Sequence, residues 1–341
     1  MRNFRRIVCT ALAFLLLVAA IGVGFMEVYF RTEYDFFQDG SERDSLAGSL
    51  DLLICGASHA YRDFDPAVID PILGTSGYNL SGALMTMGGR YELLTEELAR
   101  NPVKTLVLEL SCNTLTRDRE TDGIEGDLYV MARLSGFFHR ARYFFEGFRV
   151  SEYPDVYYKF VSEGIDAALD LLRGRKADHS ARSRGYMPTG PAVTELETNY
   201  AAILHSRRLI ETPDPGNLEY LDRILTLCRE QGIEVILVTT PLSDAYLCQC
   251  VNLQFFRDWY AELAAKWDLA YYDFNLLKDK SALFPDRSCF FDELHLNDEG
   301  AEKYSEYFAR LLLRARAGED LSDLFYPSYS EMERQVFGYE G

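Results

Sequence analysis

The feature that most constrains this chain is an uncharged apolar run near its N-terminus, residues 7–26. As a helix, a run of this length rises about 30 Å, which is the hydrocarbon thickness of a bilayer. Arg2, Arg5 and Arg6 precede the run, and the first acidic residue is Glu27. Because basic flanks stay on the cytoplasmic side, the pattern predicts a single-pass cell-membrane protein with its N-terminus in the cytoplasm and the rest of the chain outside.

A cleaved signal peptide and a buried core helix are the alternatives to an anchor. The apolar region of a signal peptide usually has about 7–15 residues, fewer than this run has. A small-residue cleavage site at Val18-Ala19-Ala20 would cut within the run. We therefore interpret residues 1–30 as the cytoplasmic N-terminus and transmembrane anchor. The acidic, polar residues 31–49 are interpreted as a stalk.

The charge of the chain bears on its partners. The sequence has 35 Lys and Arg against 53 Asp and Glu, a net charge of −18, and the three N-terminal arginines leave −21 on the remainder. A protein that binds a phosphate backbone needs a basic face, so no nucleic-acid partner is expected. An anionic polymer would have to be held by sugar contacts or by a local basic stretch, which consists of Arg173, Arg175, Lys176, Arg182 and Arg184.

Short apolar strands alternate with amphipathic helices through most of the chain. The predicted strands are residues 49–56, 77–80, 103–110, 233–240 and 269–273, and the predicted helices are residues 90–101, 220–231, 255–267 and 298–314. Near-continuous apolar strands separated by helices indicate a parallel sheet that is covered on both faces. We therefore predict a three-layer α/β/α domain, flavodoxin-like, with a mainly parallel five-stranded sheet.

One segment, at about residues 116–215, does not follow this alternation of strands and helices. It is rich in Tyr and Phe and contains the basic stretch. We expect a helical insertion over the carboxyl edge of the sheet, where open α/β folds bind ligands. Its aromatic side chains form either a small core of their own, which we favour, or a ligand surface. The predicted organisation is thus an extracytoplasmic domain over residues 50–315 with this insertion, followed by a C-terminal tail over residues 316–341.

Ser58 comes directly after the first predicted strand in the sequence Gly56-Ala57-Ser58-His59. A serine on such a turn, flanked by small residues, suits a nucleophile, and the next backbone N–H groups face a developing oxyanion. The alternative is a turn serine or a helix N-cap.

Asp292 and His295 lie three residues apart just before the last predicted helix. At this spacing the carboxylate accepts a hydrogen bond from one ring nitrogen, which leaves the other nitrogen to take a proton from a hydroxyl. The alternative is a surface loop in which the two residues occur by chance. Asn113 lies after the third strand and Gly82 after the second, and each is also explained by ordinary turn chemistry.

In this order the four blocks resemble those of the SGNH/GDSL hydrolase superfamily. The blocks are Gly56-Ala57-Ser58-His59, Asn79-Leu80-Ser81-Gly82, Ser111-Cys112-Asn113-Thr114 and Asp292-Glu293-Leu294-His295. The last block continues to Asn297 and Gly300, and it is similar to the D-x-x-H-x-N-x-x-G pattern of that superfamily. The resemblance implies Ser58 as the nucleophile, His295 as the general base and acid, and Asp292 as the residue that orients it.

The resemblance also implies an oxyanion hole formed by the Ser58 N–H, a backbone N–H near Gly82 and the Asn113 side chain. The second block departs from the usual glycine pattern, so its donor is either Ser81 or Gly82. The third block has Ser111 where glycine is usual and Thr114 where aspartate is often found.

An N-terminal anchor with an outward SGNH-like domain is similar to two groups of proteins: the D-alanyl transfer protein of lipoteichoic acid assembly and the alginate-acetylation proteins. Both resemblances imply acyl transfer to or from a hydroxyl of a surface polymer, beside a membrane-bound O-acyltransferase. We therefore expect a serine esterase or O-acyltransferase that acts on a cell-envelope polysaccharide or a teichoic-acid-like polymer. The alternative is a catalytically inactive envelope protein that binds or assembles such a polymer.

No cofactor or metal is expected. Asp292, His295 and Asp298 have ligand spacing, but no second histidine lies nearby. The chain has seven cysteines, and core thiols are the favoured interpretation. Pairing of Cys248 or Cys250 with Cys289 stays open.

Overall fold

The computed structural model describes residues 2–32, 42–116, 124–174, 183–191 and 212–338, together with Leu196, Ile203 and Leu209. Its centre is a five-stranded sheet with the strand order β2-β1-β3-β4-β5, in which every neighbouring pair is parallel. The strands are β1 (Leu52–Cys55), β2 (Gly77–Asn79), β3 (Thr105–Glu109), β4 (Glu234–Thr239) and β5 (Ala270–Asp273). The predicted α/β class and parallel sheet are confirmed.

Helices make up most of the remaining secondary structure. They are α1 (Arg2–Thr32), α2 (Ser58–Asp63), α3 (Pro66–Leu73), α4 (Met87–Arg100), α5 (Cys112–Thr116), α6 (Glu125–Arg133), α7 (Phe137–Gly147), α8 (Tyr153–Leu172), α9 (Pro215–Glu230), α10 (Asp244–Gln249), α11 (Leu253–Trp267), α12 (Lys280–Leu283), α13 (Asp286–Cys289), α14 (Asp298–Arg316) and α15 (Tyr329–Phe337). Short 3₁₀ turns occupy Val150–Glu152, Phe274–Leu276 and Ser322–Leu324.

The burial of the strand residues accounts for their arrangement in a parallel sheet. Every residue of β1, β2 and β3 is buried, as parallel strands with helices on both faces require. Leu53 pairs with Tyr78 on one side and with Leu106 on the other, which aligns the carboxyl ends of the three strands. On one face α14 packs its aromatic side chains against the core, where Tyr304 and Phe308 lie 5.0 Å from the ring of Phe64.

The chain divides into two compact units, and one of the boundaries between them along the chain falls within α6. One unit comprises Met1–Ser41 and Met131–Ser180, and the other comprises Glu42–Val130 and Ala181–Gly341. The segment predicted as an insertion, residues 116–215, therefore contributes to both units. Residues 33–41 of the predicted stalk lie outside the described part, as do Arg175, Lys176 and Arg182 of the basic stretch.

The helical unit is built on α1. Its segment Asn3–Tyr29 is long and apolar enough to cross a membrane, and by length and composition it equally fits a signal sequence. The aromatic side chains of α7 and α8 pack on one another, with the rings of Phe144 and Tyr153 stacked at 4.8 Å. Phe144 also contacts Phe145 and Phe148.

At the carboxyl end of β5, Asp273 is buried among polar groups of the α/β unit. Tyr329 in α15 donates its hydroxyl to the Asp273 carboxylate at 2.9 Å, and the backbone N–H of Asn275 donates at 3.1 Å. Burial raises the pKa of Asp273 to about 6, although these hydrogen bonds oppose the shift. This contact holds α15, which lies in the predicted C-terminal tail, on the sheet.

We expect Asp273→Asn to remove part of the pH dependence of folding. Between about pH 4 and pH 6 the folded chain keeps the Asp273 proton while the unfolded chain releases it, so raising the pH destabilises the parent by up to about 3 kcal/mol. The asparagine variant lacks this loss. Urea unfolding of the detergent-solubilised full chain should therefore show the stability difference, variant minus parent, rising from pH 4 to pH 7. A difference that stays constant with pH would contradict the assignment.

Candidate active site

Ser58 lies at the carboxyl edge of the sheet, in the turn that follows β1, the strand between β2 and β3. It is the first residue of α2, and the preceding residue, Ala57, is the N-cap and makes no side-chain capping bond. Gly56 is required at the turn, because a Cβ there would overlap the Cβ atoms of Ala60 and Glu109. Ser58 is therefore not the N-cap of α2, which was one of the alternatives that the sequence left open.

The loop that carries His295 is closed by its own backbone. Phe290 and Leu296 form an antiparallel bridge, and the Phe291 N–H donates to the His295 carbonyl at 2.9 Å. Within this loop the Asp292 carboxylate accepts the backbone N–H groups of Leu294 and His295 at 2.8 and 2.9 Å. Those bonds hold the Asp292 carboxylate in place independently of its contact with the His295 ring.

The structure brings Ser58, His295 and Asp292 together in one hydrogen-bonded chain. Nε2 of His295 lies 2.9 Å from the Ser58 Oγ. Nδ1 of the same ring lies 2.9 Å from both Asp292 carboxylate oxygens. The geometry allows the carboxylate to hold one tautomer of the ring and leaves Nε2 to accept the hydroxyl proton.

Asp292 stays ionised in this arrangement. Its partial burial raises the carboxylate pKa, but the hydrogen bond and charge of the His295 ring and the two backbone N–H groups outweigh burial. The net effect lowers the pKa of Asp292 below its ordinary value. A carboxylate that remains negative at neutral pH stabilises an imidazolium next to it.

The residues after His295 position the last helix. Asn297 is the N-cap of α14, and its side-chain oxygen accepts the Gly300 N–H at 2.9 Å. Its side-chain amide donates to the Ser288 carbonyl at 2.8 Å. A Cβ on Gly300 would overlap the Cys289 carbonyl oxygen, so glycine allows the helix to approach the loop. The D-x-x-H-x-N-x-x-G pattern therefore has a local physical basis at each of its fixed positions.

A fully buried ion pair, which no motif in the sequence indicates, supports Ser58. The Glu109 carboxylate at the end of β3 accepts the Ala57 N–H at 3.0 Å and lies 3.3 Å from a guanidinium nitrogen of Arg90. Arg90 also donates to the Glu109 carbonyl at 2.6 Å and to the Thr114 hydroxyl at 3.1 Å. The pair thus joins the loops after β1 and β3.

Asn79 and Asp63 hold the C-terminal half of α2 in place. The side-chain amide of Asn79 donates to the carbonyls of Ala60 and Phe64 at 2.8 and 2.9 Å. The Asp63 carboxylate accepts the Leu296 N–H at 3.2 Å, which ties the helix that begins with Ser58 to the His295 loop. Burial raises the pKa of Asp63 well above its ordinary value.

The predicted oxyanion donors have different surroundings. The Ser58 N–H lies in the first turn of α2, where helix N–H groups lack an intrahelical acceptor. The Gly82 N–H donates to the Gly56 carbonyl at 3.3 Å. The Ser81 hydroxyl is fully buried and has no hydrogen-bond partner among the described residues. Asn113 lies in α5, and its side chain is outside the described part of the structure.

Residues 183–191, here called the strap, connect three segments of the site. The Asn79 N–H donates to the Arg184 carbonyl at 2.8 Å, and the Met187 N–H donates to the Tyr61 carbonyl at 2.9 Å. At the other end the Asp298 carboxylate accepts the N–H groups of Thr189 and Gly190 at 2.8 and 3.1 Å. The strap therefore fixes the loop after β2, helix α2 and the start of α14 relative to one another.

Asp298 is engaged by the strap rather than by His295 and Asp292. Within the described residues no group of three or more His, Cys, Asp and Glu side chains could hold a metal ion. All seven cysteines are free thiols, and every one except Cys9 is buried. Cys289 lies near the Lys303 ammonium at 3.6 Å.

A protein-family model matches residues 206–316, a segment that contains Asp292 and His295 but not Ser58. No curated protein matches the chain. Among solved structures the chain is similar to a candidate lipolytic protein of the G-D-S-L family from Desulfitobacterium hafniense DCB-2, with 10% identity and a TM-score of 0.35 over 76% of this chain and 98% of that one.

We expect Glu109→Gln to destabilise the fold because it leaves the buried Arg90 charge without its partner. Removal of one member of a buried pair costs about 3–5 kcal/mol. Glu234→Gln is the matched control, since the carboxylate of Glu234 pairs with Arg316 at 2.7 Å in a half-exposed position and its loss should cost no more than about 1 kcal/mol. Urea unfolding of the full chain measures both. Equal losses in the two variants would contradict the role given to Glu109.

Proposed function

We propose that this protein is a serine esterase or O-acyltransferase that acts through an acyl-enzyme on Ser58. The observation that carries the proposal is the continuous chain from the Ser58 Oγ to His295 Nε2 at 2.9 Å and from His295 Nδ1 to Asp292 at 2.9 Å. A hydroxyl is a weak nucleophile at neutral pH, and a base within hydrogen-bond distance, oriented by a carboxylate, is what activates it.

The first half-reaction forms the acyl-enzyme. His295 Nε2 takes the hydroxyl proton while the Ser58 Oγ attacks the ester carbonyl, and the carbonyl oxygen becomes an oxyanion. Donors proposed for that oxyanion are the Ser58 N–H, the group supplied by Gly82 or Ser81, and the Asn113 side chain. The imidazolium then gives its proton to the departing alkoxide, so the alcohol leaves neutral and the acyl group stays on Ser58.

The second half-reaction repeats these steps with a new hydroxyl. His295 takes a proton from water or from a sugar hydroxyl, whose oxygen attacks the acyl carbon. Collapse of the intermediate breaks the bond to the Ser58 Oγ and returns the proton to it. Water as acceptor makes the protein an esterase, and a sugar hydroxyl makes it a transferase.

The proposed setting is the outside of the cell membrane, with an acyl ester of a cell-envelope polysaccharide or teichoic-acid-like polymer as substrate. Two features support it: the apolar helix Asn3–Tyr29 at the N-terminus and the three arginines that precede its uncharged run. A membrane-bound O-acyltransferase is the proposed partner if the reaction is transfer. The substrate class comes from the resemblance of an N-terminal anchor with an outward SGNH-like domain to the D-alanyl transfer protein of lipoteichoic acid assembly and to the alginate-acetylation proteins.

Replacement of any of the three residues should lower the activity by several orders of magnitude. We expect Ser58→Ala and His295→Ala to lower the rate of p-nitrophenyl acetate or acetylated-glycan hydrolysis by about 10⁴–10⁶-fold, and Asp292→Asn by about 10⁴-fold. Ser45→Ala, which changes an exposed serine outside the site, is the control and should keep the parental rate. A Ser58→Ala protein with the parental rate would refute the proposal.

A further inference from the structure

Arg62 places a positive charge beside the candidate active site. It lies in α2 four residues after Ser58, so the two residues share one face of the helix, with their Cβ atoms about 6 Å apart. Side chains in a helix lean toward its N-terminal end, which for Arg62 is the end that carries Ser58. The Arg62 side chain is half-buried, so a molecule in solvent can still reach it.

Two aromatic rings hold the Arg62 guanidinium in place. Its central carbon lies 5.5 Å from the centroid of the Tyr61 ring and 5.7 Å from that of the Phe291 ring. At these distances a cation is attracted to the face of a ring. Phe291 donates its N–H to the His295 carbonyl and so belongs to the loop of the general base. The guanidinium therefore extends from the helix of Ser58 to the loop of His295.

The protein uses only a small part of the hydrogen-bonding capacity of this guanidinium. Nε of Arg62 donates to the Tyr61 hydroxyl at 3.3 Å. The two terminal nitrogens, which carry four of the five N–H groups, have no acceptor among the residues that the structure describes. Such a guanidinium suits an oxyanion of a ligand, because a phosphate or a carboxylate accepts two of its N–H groups at once.

Three carboxylates adjoin Arg62 or Phe291 in the sequence, and all three are bonded elsewhere. Asp63 is fully buried and accepts a backbone N–H. Asp292 is bonded to the ring of the general base, and Glu293 accepts a side-chain amide at 2.8 Å. A negatively charged substrate therefore meets an uncompensated cation next to the reacting serine, on a chain whose net charge is −18.

The chemistry proposed for Ser58 indicates which part of an ester lies near this cation. His295 gives its proton to the departing alkoxide, so the alcohol part of the ester lies against the His295 loop. The Arg62 guanidinium lies against the same loop through the ring of Phe291. A charged group on the alcohol part is thus within reach of Arg62, whereas the acyl group stays with Ser58.

We propose that Arg62 binds an anionic group, a phosphate or a carboxylate, on the alcohol part of the substrate ester. This inference rests on the function proposed above and narrows its substrates to esters of anionic alcohols. Arg62 touches none of the reacting atoms. It is a specificity-determining residue, which favours an ester that carries a negative charge over the same ester without it.

Three acetate esters that differ at one end test the proposal on the detergent-solubilised full chain: glycerol monoacetate, its phosphate ester and the acetate ester of glycerate. Acetate release gives kcat/KM for each. We expect Arg62→Gln to lower the ratio of kcat/KM, anionic ester over neutral ester, by about 10–100-fold, the range for hydrogen bonds to a charged group. Arg310→Gln removes the same charge from an exposed ion pair on α14 and should keep the parental ratio. A fall with one anionic ester alone identifies the anion that Arg62 binds.

A purely structural role for Arg62 gives a different result. Loss of its contact with the ring of Phe291 would then displace the His295 loop and slow all three esters by the same factor. The ratio would keep its parental value for both anionic esters, which would overturn the proposal. Arg62→Met retains an apolar contact with the rings but not the charge, so the same fall in the ratio is expected if Arg62→Gln does not fold.

A binding measurement separates this proposal from the chemistry of Ser58. Loss of neutral-ester hydrolysis in Ser58→Ala tests the acyl-enzyme, whereas binding of glycerol phosphate to that same variant needs no turnover. We expect Arg62→Gln in the Ser58→Ala background to weaken this binding by about 10-fold or more, as measured by titration calorimetry. Equal affinity with and without the Arg62 guanidinium would overturn the proposal, whatever the result for Ser58.

Discussion

The carboxylate of Glu109 is the interaction on which the candidate active site depends. It lies at the end of β3, the central strand of the sheet and a neighbour of β1, and it accepts the backbone N–H of Ala57, the residue before Ser58. Because parallel strands end at the same edge of a sheet, one side chain at the end of β3 reaches the loop after β1. A buried carboxylate requires a compensating charge, and Arg90 from α4 supplies it. The position of Ser58 is therefore set by the sheet and by a helix distant from it in sequence.

The position of the loop that carries Asp292 and His295 is tied to that of Ser58 through α2 and the strap. Asp63 at the end of α2 holds the backbone of Leu296, next to His295. Asp298, three residues after His295, holds the strap, whose other end is bonded to Asn79. The 2.9 Å contact between Ser58 and His295 thus results from bonds made by several segments that are far apart in the chain.

Local signals were sufficient to predict the sheet, whereas the three residues of the hydrogen-bonded chain were predicted from the resemblance of four blocks, in their order along the chain, to a known superfamily. Strands with continuous burial are visible as apolar runs, and a parallel sheet places the loops that leave its strands at one edge. The Asp292 and His295 pair is local, because three residues on a turn fix their contact. Asn297 and Gly300 belong to a pattern in the sequence, but their physical roles, a helix cap and a close approach to Cys289, are seen only in the folded structure.

Non-local pairs were not predictable. Nothing in the sequence around Arg90 shows whether its side chain is exposed on α4 or buried at the end of β3, because its partner Glu109 lies nineteen residues away. The same holds for the grouping of residues 131–180 with α1, which rests on contacts such as Tyr157 with Val18, 139 residues apart. The strap was predicted only as part of a helical insertion. Its contacts are made largely by backbone groups, which are the same in every residue type, so the amino-acid sequence does not indicate them.

The central claim is that the Ser58 hydroxyl is an activated nucleophile. The most direct measurement is mass spectrometry of the full chain after reaction with a fluorophosphonate, because such a probe reacts with serines that a neighbouring base has activated. The account predicts one adduct per chain, on the peptide that contains Ser58, and no adduct in the His295→Ala variant. A chain that stays unlabelled, or one labelled on another serine, would contradict it and would favour a polymer-binding protein without catalysis.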